Sequence, residues 1–249
     1  MENNNHFTAI VIGENPDEIM KKYDSSIKVE PYIVYKLSNV TQYKENTLKA
    51  YKYLVDSDVM PETVRDEYKE KVLELEKMSD IDFYSELTED FEIDEETGNA
   101  ICDINPNGHY KFCHLGKNLA MPLINKNDQE VFQARKRDIA WDKIHLANQE
   151  IYKITWEMVM GDRKPSNDEE RVIYENMKNR TEYFNYYGDV DTYVANNTAF
   201  WGYAFVTENE WLELTDDVSQ IKWVTEFYDK FIKNLPDDTL ISVYECVRI

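Results

Sequence analysis

Two cysteines and two histidines fall within thirteen residues: Cys102, His109, Cys113 and His114. Thiolate and imidazole are the ligands that zinc takes. A thiol beside an imidazole is also the pairing of a cysteine nucleophile with its base. The spacing C-x6-H-x3-C-H matches no zinc pattern. In a strand, successive side chains leave on opposite faces, so Cys113 and His114 are poorly placed to share one ion. No flanking signature supplies the turn that a cysteine nucleophile needs for its oxyanion. The pattern favours buried structural cysteines, with these four as the metal-ligand candidates and no cofactor expected.

Carboxylates form the second constellation. Asp80, Asp82, Glu86, Glu89, Asp90, Glu92, Asp94, Glu95 and Glu96 lie within seventeen residues, and no Lys or Arg occurs between Lys77 and Lys111. The spacing lacks the D-x-D-x-D-G order of a calcium loop. A two-metal nuclease would spread its carboxylates over several elements beside a basic surface, which is not evident. The run therefore reads as a solvated acidic face able to dock on a basic partner.

A third group could hold a small ligand. Lys111, Lys117, Lys126, Arg135, Lys136 and Arg137 supply positive charge. Tyr193, Asn197 and Trp201 belong to a stretch rich in aromatic residues. Stacking on rings with amide hydrogen bonds can hold a nucleotide base. Core packing accounts for the same aromatics.

These residues must be positioned by elements that the pattern outlines. His6–Gly13 and Glu30–Leu37 read as strands, and Asn15-Pro16 as a helix start. A helical segment spans about 45–89, with Pro61 opening a helix whose Val64, Tyr68, Val72 and Leu75 share one face. Residues 90–104 alternate around Gly98-Asn99 as a hairpin. "HYKFCHL" and "NLAMPLI" read as further short strands or extended segments. The strongest helical pattern runs from Asn127 to Asp162, with Ile144, Ala147, Ile151, Ile154 and Met158 on one face. Ser166 and Glu169 form a capping box for a further helix. Residues 198–214 read as a hairpin turning at 207–210. An amphipathic helix carries Ile221, Val224, Phe227, Phe231 and Leu235, and the chain closes on a strand that pairs with the first. The interspersed order predicts an α+β fold: a single domain over 1–249, with a mostly antiparallel sheet, packed helices and a helical insertion.

Composition sets the bounds. The chain has 249 residues, 42% hydrophobic and 13% aromatic, with eighteen tyrosines and five tryptophans. That suffices for a sizeable core and argues against disorder. Against 49 acids stand 28 bases, a net charge of −21 and a pI near 4.6. Such a charge repels phosphate backbones, so direct nucleic-acid binding is not expected. Three cysteines make no disulfide framework. There is no basic leader followed by an apolar run, and no stretch approaches the ~18 apolar residues of a membrane span. A soluble cytosolic protein is expected.

Four stretches, in this order, resemble a family of bacteriophage-encoded proteins of unassigned function: "HFTAIVIG", "INPNGHYKFCHLG", "QARKRDIAWDKI" and "FYDKFIKNLPDDTLISVYECVRI". Family members carry Gly-Gly-Arg-Trp where this chain has Leu115-Gly116-Lys117-Asn118. They end on Asp-Cys-His-Ile where it has Glu245-Cys246-Val247-Arg248-Ile249. The resemblance implies a phage origin and an accessory role, and it supplies no catalytic residue. Together with the acidity, it predicts a non-enzymatic phage protein in the host cytosol that binds and inhibits a host protein, such as one of antiviral defence. The alternatives are sequestration of a nucleotide-type signal, and a metal-dependent enzyme.

Overall fold

The run His-Phe-Thr-Ala-Ile-Val-Ile forms strand β1 (His6–Ile12) in the computed structural model, which describes residues 5–57, 60–116, 121–146, 148–176 and 180–249. Helix α1 (Pro16–Lys21) follows, with Pro16 in its first turn, where a missing N–H leaves no bond unmade. Residues Ile27–Asn105 then form a compact unit of their own, and the residues up to Ser26 together with Pro106–Ile249 form the other. The fold is α+β. The chain thus divides into two such units.

The inserted unit contains β2 (Lys28–Tyr35), α2 (Val40–Asp56), α3 (Glu62–Lys77), α4 (Asp80–Leu87), β3 (Glu92–Ile93) and β4 (Ala100–Ile104). The segment read as helical is three helices. Leu75 is buried, and Val64, Tyr68 and Val72 are half-buried beside it, as their spacing requires. Tyr51 and Tyr68 meet at 5.3 Å where α2 packs on α3. The strands form a three-stranded antiparallel sheet in the order β2-β4-β3. The Tyr84 hydroxyl on α4 lies within hydrogen-bonding reach of the carbonyls of Tyr35 (3.1 Å) and Gly98 (3.0 Å). It accepts the Ala100 N–H at 2.9 Å, which pins the helix to the hairpin.

The larger unit resumes with β5 (Phe112–Leu115), β6 (Leu123–Ile124), β7 (Glu130–Val131) and β8 (Gln133–Arg135). Helices α5 (Trp141–Leu146), α6 (Gln149–Met160), α7 (Asp168–Glu175), α8 (Arg180–Tyr187) and α9 (Val190–Thr198) follow. Then come β9 (Ala204–Val206), β10 (Trp211–Glu213), α10 (Gln220–Phe227), a π-helical turn (Tyr228–Ile232) and β11 (Leu240–Val247). The main sheet runs β10-β9-β1-β11-β5, with β8 also on β11. The first and last strands pair antiparallel from His6↔Val247 to Ile12↔Ile241, as read from the sequence, and β1 with β9 is parallel.

Both faces of the central strands are covered, which is why β1 and β11 read as nearly continuous apolar runs. On one face Ile10, Ile241 and Val243 pack with Phe200, Phe205, Trp223 and Phe227. On the other, Phe7, Ala9, Val11, Tyr244 and Cys246 pack with Ile19, Met20 and Tyr110. No helix of the described residues is long and apolar enough to cross a membrane.

Three local readings are corrected. The first half of the stretch read as helix from Asn127 is extended: β7 pairs with β6, and β8 lies on β11 from Gln133↔Ser242 to Arg135↔Leu240. Pairing with a buried strand overrides the helical propensity of Gln, Ala, Arg and Lys. A break at Asn148 (φ +60°) then separates α5 from α6, and Ile151, expected in the core, is 46% exposed. Ala147 lies outside the described residues. The capping box is shifted by one: Asn167 accepts the Glu170 N–H at 2.8 Å, while the Glu170 carboxylate accepts from Ser166 N (2.8 Å) and Oγ (2.7 Å). In the last helix the π-helical turn moves the buried position from Phe231 to Ile232.

Candidate functional site

The acidic run spreads over α4, the turn after it and the β3–β4 hairpin. Two of its members, Asp80 and Asp94, are structural. Asp80 accepts from the Thr41 hydroxyl at 2.6 Å and pairs with Lys44 at 3.4 Å, and these partners hold its carboxyl below the usual range. Asp94 accepts from Thr97 N (2.7 Å) and Oγ1 (2.6 Å), closing the hairpin turn, and is likewise lowered. Asp82 accepts from Ser79 Oγ, the residue that caps α4. Glu86, Glu89, Asp90, Glu92, Glu95 and Glu96 are exposed, and among the described residues none of them is in an ion pair. Ile81 (78% exposed) and Ile93 (42%) stand among them. Exposed carboxylates outside any ion pair, interleaved with bare apolar side chains, are the makings of a protein-docking face.

The Cys/His constellation does not assemble. Cys102 belongs to β4 of the inserted unit, cross-strand from Tyr32. The other three belong to the larger unit and part company there. His109 stacks on Trp211 at 4.5 Å, with Glu213 3.4 Å from its Nδ1. Cys113 lies directly opposite Cys246, and His114 opposite Glu245, on the two faces of the sheet. Among the described residues no group of three or more His, Cys, Asp or Glu could hold a metal ion. The hydrogen bond from the Cys246 thiol lowers the Cys113 pKa, and the Tyr110 hydroxyl adds to it, against the opposing effect of burial. Cys246 itself is pushed up by that same bond and by its burial.

The basic and aromatic candidates are also dispersed. Arg135 makes a bidentate pair with Glu14 and donates to the Asp238 carbonyl. Lys136 donates to the carbonyls of Lys233 and Leu235, both at 2.6 Å. Arg137 continues that edge, its N–H on the Asp237 carbonyl (2.8 Å), and Lys126 N–H bonds Asp138 O (2.9 Å). Lys111 precedes β5, its N–H on Val247 O (2.9 Å). Lys117, like Asn118 of the altered family motif, lies outside the described residues. Tyr193 is buried on α9 among Tyr152, Trp156, Tyr183 and Tyr187, and Asn197 donates to its carbonyl at 2.7 Å. These two are packing residues. Of the group's described residues, Trp201 lines a cleft with polar partners.

That cleft opens at the start of β1. His6, Thr8, Trp201, Tyr203, Met121 and Arg248 line about 340 Å³. Behind it sits a buried carboxylate. Glu245, 4% exposed, accepts from His6 Nδ1 at 2.8 Å, and its other oxygen is 3.9 Å from His114 Nε2. The second separation is ion-pair distance and too long for a hydrogen bond. Both ring nitrogens of His114 are buried without a hydrogen-bond partner among the described residues. Sequence reasoning did not single out His6, Glu245 or Arg248. One signal was available: Glu245 interrupts an apolar run, and pairing the terminal strands brings it beside His6.

No protein-family model, curated protein or solved structure matches this chain.

Proposed function

We propose that this protein acts by binding another protein, docking the acidic face of its inserted unit on a basic surface. One observation carries the reading: six exposed carboxylates between Glu86 and Glu96 have no ion-pair partner among the described residues, while Ile81 and Ile93 stand bare beside them. The inserted unit holds 20 of the 49 acids and only 9 of the 28 bases. Like charges crowded on one small unit cost stability through mutual repulsion, and a basic partner relieves that cost while desolvating the isoleucines. The resemblance to phage accessory proteins makes the partner a protein of the bacterial host, and inhibition by occupancy the mode of action. The chain works as a binder and not as an enzyme.

The test is capture from host lysate on immobilised full-length protein. Reversing Asp90, Glu95 and Glu96 to Lys is expected to abolish capture. Reversing Glu62, Glu67 and Glu70 on α3, an equal change of charge, is expected to leave it. Asp80 and Asp94 are kept because they hold the local fold. Capture that survives the first set of reversals overturns the reading.

A further inference from the structure

We propose that the cleft at the start of β1 binds a small aromatic anion of the nucleoside-phosphate class. The inference is independent of the acidic face, which belongs to the other unit.

The cleft exists because two neighbouring strands start out of step. Strand β11 flanks β1 from His6 onward, but β9 joins its other edge only at Ala9↔Ala204. Residues 201–203 pass beside the gap, where Gly202 lets the backbone come close. A Cβ at Gly202 would sit 2.6 Å from Ile10 Cγ1 and 3.2 Å from the Thr8 carbonyl oxygen. The indole of Trp201 and the phenol of Tyr203, each half-buried, thereby flank the opening. Such rings offer stacking faces to a planar ligand.

Charge converges on the same place. The Arg248 guanidinium lies 4.2 Å over the Tyr203 ring and 5.9 Å from that of Phe7, and its backbone N–H is held by the Asn5 carbonyl at 2.8 Å. Stacking fixes the plane of the guanidinium and leaves its N–H edge for a phosphate or carboxylate. Among the described residues Arg248 is in no ion pair, although the chain carries 49 acids. His6 complements it. With Nδ1–H on the Glu245 carboxylate, Nε2 is left to meet a ligand N–H or O–H. The Thr8 hydroxyl adds a group that can donate or accept.

Size and field narrow the class. A volume of about 340 Å³ suits one small organic molecule. The charge of −21 repels a nucleic-acid polymer far more than a ligand with one phosphate. Arginine for the anion, rings for the base and a tautomer-fixed histidine for a hydroxyl or amine together describe a nucleoside phosphate.

The experiment is calorimetric titration of the full-length chain with AMP, GMP, CMP and UMP, and with adenosine, guanosine and inorganic phosphate as probes of the two halves. Saturable one-to-one binding of at least one monophosphate is expected, weaker by about tenfold or more for its nucleoside, the loss of a charge-assisted contact. Arg248→Met keeps the stem over the rings and is expected to bring the monophosphate down to its nucleoside. Trp201→Leu is expected to weaken both. Arg248 is at the surface, so its substitution leaves the fold to be checked only by circular dichroism. No heat from any monophosphate up to on the order of 1 mM overturns the proposal. So does binding that neither variant changes, and so does inorganic phosphate binding as tightly as every nucleotide.

Discussion

Cys113 and Cys246 face each other directly across neighbouring antiparallel strands, and their thiols are chemically unequal. The Gly116 N–H donates to the Val243 carbonyl at 2.9 Å, which sets the phase of the ladder. By alternation, His114 and Glu245 form a hydrogen-bonded pair, and the two cysteines occupy the closer, non-hydrogen-bonded class, with Cα atoms about 4.5 Å apart. Cys246 is fully buried and its pKa raised, whereas Cys113 is half-buried and lowered by its neighbours' hydrogen bonds. The thiolate is the form that alkylates. In native protein treated with iodoacetamide, Cys113 is expected to label before Cys246, as peptide mass spectrometry would record. Equal or inverted rates would show that the asymmetry is absent.

Gly116 has φ +69°, and a Cβ added there would lie 2.3 Å from Cδ2 of the Phe132 ring. Gly116→Ala therefore combines a left-handed backbone with overpacking. The expected loss is about 2–4 kcal/mol in urea unfolding. A loss below ~1 kcal/mol would mean that the ring yields freely.

His145 is packed against Tyr228 (4.5 Å between ring centroids) and Trp141 (6.3 Å), and its Nε2 is buried without a partner among the described residues. Burial lowers its pKa, with Asp229 opposing. The unfolded chain takes up the proton near pH ~6.5, before the folded chain does. Stability from neutral His145 is thus present above that pH and lost as pH falls towards the folded pKa. Between pH 7.5 and 5.5, wild type is expected to lose more stability than His145→Phe, whose ring does not titrate. Parallel pH profiles of the two proteins would refute this.

The chain leaves the larger unit after Ser26 and returns at Pro106, and these two points lie together. His109 N–H bonds Tyr23 O at 2.8 Å, and Ser25 N–H bonds Tyr110 O at 2.9 Å. A Gly/Ser linker of a few residues in place of Ile27–Asn105 closes a short loop at little entropic cost. The shortened protein is expected to unfold cooperatively and to keep the β1–β11 hydrogen bonds protected from exchange. Loss of that protection would show that the larger unit depends on the insertion.

Much of the architecture is local and so was legible in the residues alone. Short β-rich apolar runs mark β1 and β11, Asp94–Asn99 carries turn chemistry, and Pro61 opens α3, each acting over a few residues. The acidic run was equally plain, because charge is a property of composition. Folding decided which of its carboxylates are structural: Asp80 depends on Thr41 and Lys44, 36 or more residues away in sequence. The stretch from Glu130 to Arg135 reads as helix because Glu, Gln, Ala and Arg favour helix, while its strands exist only through pairing with β6 and β11. The cleft was beyond reach for the same reason. His6 and Glu245 are 239 positions apart, and Arg248, just after β11, meets Tyr203, just before β9. Their spacing carries no period, and only the antiparallel closure of the first strand on the last brings them together.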